Sequence, residues 1–61
     1  MRGKVVFLKP GSGIILGENN KRYMFTQINH LRLKINEEIY FIPKETSPDL
    51  GEAWRVTRTQ D

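Results

Sequence analysis

The sequence predicts an all-β protein, a small antiparallel barrel of five short strands. Short runs rich in β-branched and aromatic residues recur along the chain, and turn-forming residues separate them. Helical periodicity is absent except in a short piece around residues 28–35. Because the chain has only 61 residues, we expect a single domain over residues 1–61, with a thin core and modest stability.

The first two strands are predicted at GKVVFLK (3–9) and SGIILGE (12–18), which Pro10 separates. The glycines Gly11 and Gly13 could suggest a phosphate-binding loop. Such a loop needs a helix after it, because the helix N-terminus supplies free N–H groups, and here β-branched residues follow. We therefore interpret Gly11 as part of a tight turn, and Gly13 as a strand position where a side chain would obstruct close approach.

Three further strands are predicted from the same signals. Asn19 and Asn20 tolerate a left-handed backbone and predict a hairpin after the second strand. Pro43 belongs at a strand end, and TSPDLG (46–51) is a loop by composition. The strands are therefore placed at KRYMFTQ (21–27), NEEIYFIPK (36–44) and EAWRVTR (52–58).

Alternation along the strands predicts which large side chains face outward. Tyr23, Phe25 and Gln27 share one face of the third strand, and Phe25 is predicted to be exposed there because glutamine is rarely fully buried. For Tyr23 we keep two alternatives, exposure on the same surface and packing at the rim of the barrel. Trp54 alternates with Val56 in the last strand, so we expect Trp54 to be a large core residue that closes the barrel.

The charged residues are unevenly distributed along the chain. Residues 1–35 carry seven basic side chains against one acid, whereas residues 36–61 carry three against six. This split indicates a basic side that suits a polyanion, with scattered surface lysines as the simpler alternative.

The composition also predicts several absences. The chain has no cysteine and one histidine, so neither a disulfide framework nor a metal site is expected, and we predict no cofactor. It carries no nucleophile–base–orienter set, so we do not expect an enzyme. With no stretch of membrane-spanning length, a soluble, cytoplasmic protein is predicted. We also expect a monomer.

Three motifs follow one another in a characteristic order. GKVVFL (3–8) precedes PGSGII (10–15), and MFTQ (24–27) comes after the next hairpin, with Leu31 at a later aliphatic position. This order resembles the bacterial cold-shock domain, whose motifs read roughly G-x-V-K-W-F, K-G-F-G-F-I and V-F-V-H. The resemblance implies a five-stranded OB-fold barrel, and it covers the first three strands most closely.

The resemblance also implies a binding surface. In the cold-shock family, aromatic side chains on strands one to three form a platform on which the bases of single-stranded nucleic acid stack. Here Phe7 stands at the tryptophan position and Phe25 at the aromatic of the third motif. Gln27 replaces the histidine of that motif, and Ser12 and Ile14 replace two aromatics of the glycine motif. The implied platform is therefore reduced, and Tyr23, on the same strand face as Phe25, would partly compensate.

Single-strand binders combine such stacking with a basic groove that follows the nucleic-acid backbone. Basic residues flank the candidate aromatics in sequence, with Arg32 and Arg55 as further candidates. We therefore predict a cold-shock-type module that binds single-stranded RNA or DNA. Its predicted contacts are Lys4, Phe7, Lys9, Ser12, Ile14, Lys21, Arg22, Tyr23, Phe25 and Gln27.

The alternative prediction is a protein-interaction module on an OB-like or SH3-like barrel that has lost nucleic-acid binding. Ser12 and Ile14 stand where the resemblance expects aromatics. An apolar patch of Ile14, Leu16 and Tyr40 would then meet a protein partner instead.

Overall fold

The computed structural model describes residues 1–26 and 33–59. Its strands are β1 (Arg2–Lys9), β2 (Ser12–Gly17), β3 (Arg22–Thr26), β4 (Glu38–Lys44) and β5 (Leu50–Arg58). They close a barrel in the order β1-β2-β3-β5-β4, with β4 paired back onto β1. The predicted fold class, an all-β, five-stranded, OB-fold-like barrel, is confirmed, and each predicted strand end lies within two residues of the observed one.

One strand pair departs from the predicted antiparallel arrangement. β3 and β5 run parallel, with Tyr23 opposite Gly51 and Met24 opposite Glu52. The other four pairings are antiparallel. A closed barrel with an odd number of strands cannot alternate in direction all the way round, so one parallel pair is a geometric necessity.

Two predicted turns are confirmed by their backbone conformation. Lys9 pairs with Ser12 across Pro10 and Gly11, and Gly11 has a φ of 89°, which a side chain would make unfavourable. Asn20, in the hairpin between β2 and β3, has a φ of 67°. Both hairpins therefore rest on residues that accept a left-handed backbone.

The core of the described part of the chain is entirely apolar and aromatic. Every strand except β5 alternates over most of its length between buried positions and positions that are exposed or, in β2, half-buried. The buried side chains are Val5, Ile15, Tyr23, Phe25, Leu33, Ile39 and Phe41.

The predicted outward orientation of Tyr23 and Phe25 is wrong. Tyr23 is fully buried and Phe25 is 3% exposed. A Cβ atom at Gly13 would lie 2.6 Å from the Phe25 ring, and one at Gly51 would lie 2.7 Å from the Tyr23 ring. The two rings thus fill interior space that the glycines leave empty, as small barrels require when large side chains point inward. Neither ring is available to stack on a base.

The predicted core position of Trp54 is also wrong. Ala53 and Val56 pack against the core, whereas Trp54 is 50% exposed. At this point the register of β5 against β4 shifts, and Arg55 adopts a φ of 54°. The bulge adds one residue to β5 and reverses its alternation, so Trp54 and Val56 no longer share a face.

Candidate nucleic-acid interface

The outer face of three neighbouring strands carries a row of apolar side chains. The register places Phe7 of β1 opposite Ile14 of β2, and Ile14 opposite Met24 of β3. Phe7 is 47% exposed and Met24 is 43% exposed, with Ile14 half-buried between them. Directly paired residues point to the same side of a sheet, so the three side chains form one continuous strip. We call it the apolar row.

A bulge in β1 turns Phe7 outward. Val5 pairs with Ile15 and Phe7 pairs with Ile14, so Val6 is an extra residue in β1. Val5 is buried, while Val6 and Phe7 are both exposed. Periodicity could not decide which residues of this apolar run face the core, because the run does not alternate regularly. The outward orientation that the cold-shock resemblance implied for Phe7 is confirmed.

Basic side chains flank the apolar row on both sides. Two further rows of paired residues run beside it, one being Lys4, Leu16 and Arg22 and the other Lys9, Ser12 and Thr26. Lys4, Lys9 and Arg22 are exposed, and none of them forms an ion pair with another described residue. Their charges are therefore available to an anion that lies along the outer face.

Lys21 has a different environment from these three cations. Its ammonium forms an ion pair with Glu45 and lies 5.9 Å from the centroid of the Tyr23 ring. The hydrogen bond from Lys21 holds the pKa of the Glu45 carboxyl below its ordinary value. The Tyr23 hydroxyl accepts a hydrogen bond from Asn19 Nδ2 at 2.9 Å and donates one to Glu45 Oε2 at 3.4 Å. Lys21 therefore already has an anionic partner just before the start of β3, so its charge is less available to a phosphate than those of Lys4, Lys9 and Arg22.

A cavity of about 360 Å³ opens beside the far end of the apolar row. Its lining includes Met24 and Glu52, the last pair between β3 and β5, and beyond them Thr26, Trp54 and Arg55. The cavity and the apolar row share Met24, so the two features form one continuous surface.

The indole of Trp54 is held in place beside this cavity. Its Nε1 donates a hydrogen bond to Glu52 Oε1 at 3.1 Å. The ammonium of Lys44 lies 4.8 Å from the centroid of the indole ring. An exposed aromatic with a fixed orientation and a neighbouring cation is well suited to receive another flat ring.

The predicted contact residues thus divide into three groups. Lys4, Phe7, Lys9, Ser12, Ile14 and Arg22 share the outer face, whereas Lys21 is ion-paired, and Tyr23 and Phe25 belong to the core. Gln27 and the further candidate Arg32 lie outside the described residues. Met24 and Trp54 were missed.

A sequence signal for Met24 did exist. Gly13 and Gly17 alternate with Ile15 along β2, and inward-facing glycines across from a strand of large residues indicate that those residues also face inward. With Tyr23 and Phe25 inside, Met24 must face outward. The comparable signal for Trp54 was Gly51, which lies opposite Tyr23 and faces inward, so that Trp54, three positions further along the strand, faces outward. The bulge at Arg55 then turns Val56 inward, which the alternation of Trp54 with Val56 did not reveal.

No protein-family model matches the chain, and no curated protein or solved structure does either. In residues 1–26 and 33–59, no helix is long and apolar enough to cross a membrane. Within the same residues, no three His, Cys, Asp or Glu side chains lie close enough together to hold a metal ion. Function is therefore inferred from the barrel and its outer face.

Proposed function

We propose that the protein is a binding module for single-stranded RNA or DNA, and that the strand lies across the outer face of β1, β2 and β3. The observation that carries this proposal is the position of the apolar row between cations that form no ion pair with another described residue. Lys9 lies on one side of the row, and Lys4 and Arg22 lie on the other. A basic groove with exposed apolar and aromatic contacts inside it is the arrangement that single-strand binders use.

Each part of the surface has a distinct role in this proposal. Phe7 stacks on one base, and Ile14 and Met24 provide flat apolar contacts to the bases that follow it along the strand. Phosphates lie near the flanking cations, where neutralising them releases counterions. The bound strand would run from β1 to β5, across three inter-strand spacings of about 4.8 Å each, or about 14 Å in total. This path ends at Trp54.

The resemblance to the cold-shock domain supports the same function. The motif order is shared, and the strand order of the barrel is that of an OB-like fold. The platform differs from the family's, because the counterpart of its third-motif aromatic, Phe25, is buried. In our proposal Trp54 supplies the second exposed aromatic from β5 instead.

The test is a titration with a thymidine heptamer at low salt, followed through the fluorescence of Trp54. Phe7→Ala should weaken binding by about 1–3 kcal/mol, the contribution of one stacked base. Tyr40→Ala is the matched control, because Tyr40 is 43% exposed on β4 and belongs to none of the three rows. An equal loss in both variants, or no binding by the unaltered protein, would contradict the proposal.

A second candidate function is protein binding, and one observation favours it. Ile42 and Trp54 pair across β4 and β5 with 54% and 50% of their surfaces exposed, and Tyr40 lies on the same strand as Ile42. Exposed apolar clusters of this kind often mark protein contacts. Failure of every oligonucleotide to bind at low salt would favour this second function.

A further inference from the structure

The cavity beside Trp54 has features that a plain stacking surface does not need. Its lining combines a half-exposed aromatic, a carboxylate and a cation, from Trp54, Glu52 and Arg55. The ammonium of Lys44 lies over the indole ring. Lys44 is not among the described residues that line the cavity, so the cavity contacts a different part of the ring from the one that Lys44 covers. A flat ligand that enters there meets the indole and the carboxylate together.

Glu52 presents hydrogen-bond acceptors to such a ligand. An ionised carboxylate offers about four lone-pair sites and no donor. Trp54 Nε1 uses one site on Oε1, and Glu52 remains partly exposed beside the cavity. The carboxylate can therefore still accept hydrogen bonds from the edge of a stacked base.

Bases differ in what they offer to a carboxylate. Guanine presents two adjacent donors on its Watson–Crick edge, the N1–H and the N2 amino group, which match a carboxylate in a bidentate manner. Cytosine and adenine present one amino group each. Thymine and uracil present a single N–H between two carbonyl oxygens, and these oxygens are repelled by a carboxylate. The Glu52 carboxylate at the edge of the indole therefore favours guanine over the other bases.

Arg55 supplies a second reason to regard the cavity as a binding site. It is exposed, lines the cavity, and adopts a φ of 54°, a conformation that costs a side-chain-bearing residue free energy. Backbone strain of this kind concentrates at ligand-binding positions. A guanidinium there can meet the phosphate of a nucleotide whose base lies on Trp54.

We propose that the Trp54 cavity is a base-specific subsite that prefers guanine, and that Glu52 determines this preference. The inference rests on the proposed function, since it assumes that a single strand lies across the outer face. It adds a specificity that neither the apolar row nor the flanking cations provide, because apolar contacts and phosphate contacts do not distinguish bases.

The experiment uses thymidine heptamers in which one thymidine, at each position in turn, is replaced by deoxyguanosine. At least one of them should bind about fivefold or more tightly than the all-thymidine heptamer, the lower end of the range for a bidentate contact. Replacing that guanine by hypoxanthine, which lacks the N2 amino group, should remove part of the gain.

Glu52→Gln is the decisive variant. Its amide oxygen can still accept the Trp54 Nε1 hydrogen bond. An amide offers one acceptor and one donor, a combination that the edges of all the bases can match, so the guanine preference should disappear. Glu38→Gln is the matched control, because Glu38 is an exposed carboxylate of β4 outside the cavity. It makes the same charge change and should leave the preference intact.

The outcomes separate the two proposals. Equal binding of all heptamers, or a guanine preference that survives Glu52→Gln, overturns the subsite. Salt-dependent binding of the all-thymidine heptamer would then still support the proposed function. No binding of any heptamer at low salt overturns both proposals.

Discussion

Phe25 and Phe7 are a matched pair for testing the inside and the outside of the barrel wall. Phe25 is 3% exposed and Phe7 is 47% exposed. Phe25→Ala removes a ring from the core and leaves a void over Gly13, a change that costs about 3–5 kcal/mol. A single core in a domain this small supplies about 3–5 kcal/mol of stability. We therefore expect the Phe25→Ala protein to be largely unfolded at 25 °C.

Phe7→Ala should leave the protein folded. About half of the Phe7 side chain is already in water, so its removal loses about half of the transfer free energy of a buried phenylalanine, or about 1 kcal/mol. It also leaves no enclosed void. Urea denaturation, followed by Trp54 fluorescence and far-UV circular dichroism, measures both variants. A folded Phe25→Ala protein that loses less than about 1 kcal/mol would refute the inward orientation of the third strand's aromatics.

Three further predictions concern charge and packing. Lys9→Ala should reduce the slope of log K for oligonucleotide binding against log salt concentration by about 0.7, the contribution of one phosphate contact. Lys21→Ala should reduce the slope less, because Lys21 is ion-paired. Equal effects of the two substitutions would contradict this. Lys21→Met should raise the Glu45 pKa, measured by NMR titration, towards its ordinary value. Because the pKa of Glu45 is lowered in the folded state, its contribution to stability is present at neutral pH and is lost as the pH falls through that pKa. Gly51→Ala should lower the melting temperature through overpacking against Tyr23, at a cost of about 1–3 kcal/mol; an unchanged melting temperature would contradict this.

The strands could be predicted from sequence because their boundaries depend on local chemistry. Gly11 and Asn20 adopt left-handed turn conformations that few other residues accept, and they lie where the chain reverses, directly after Pro10 and Asn19. Such signals act over two to four residues, so they are readable without knowledge of the rest of the fold.

The orientation of the aromatic residues was harder to predict because it depends on neighbours that are distant in sequence. The exposed face of β3 was inferred from Gln27, which lies outside the described residues. The residues that do decide the matter are Gly13 and Gly51, which provide room for the Phe25 and Tyr23 rings. Trp54 was misplaced because a bulge reversed the alternation of β5.

The two bulges of the barrel lie at the two ends of the candidate interface. One adds Val6 to β1 immediately before Phe7, and the other places Arg55 immediately after Trp54. In a strand without a bulge, successive side chains point alternately into and out of the barrel. Bulges are over-represented beside functional sites because they redirect a side chain without interrupting the sheet. The first bulge leaves Phe7 half exposed, while the second lies directly after the half-exposed Trp54 and places a cation, Arg55, in a strained conformation. The hydrophobic effect favours burial of aromatic rings in the core. Two half-exposed rings are therefore expected where the rings contribute to binding rather than to folding.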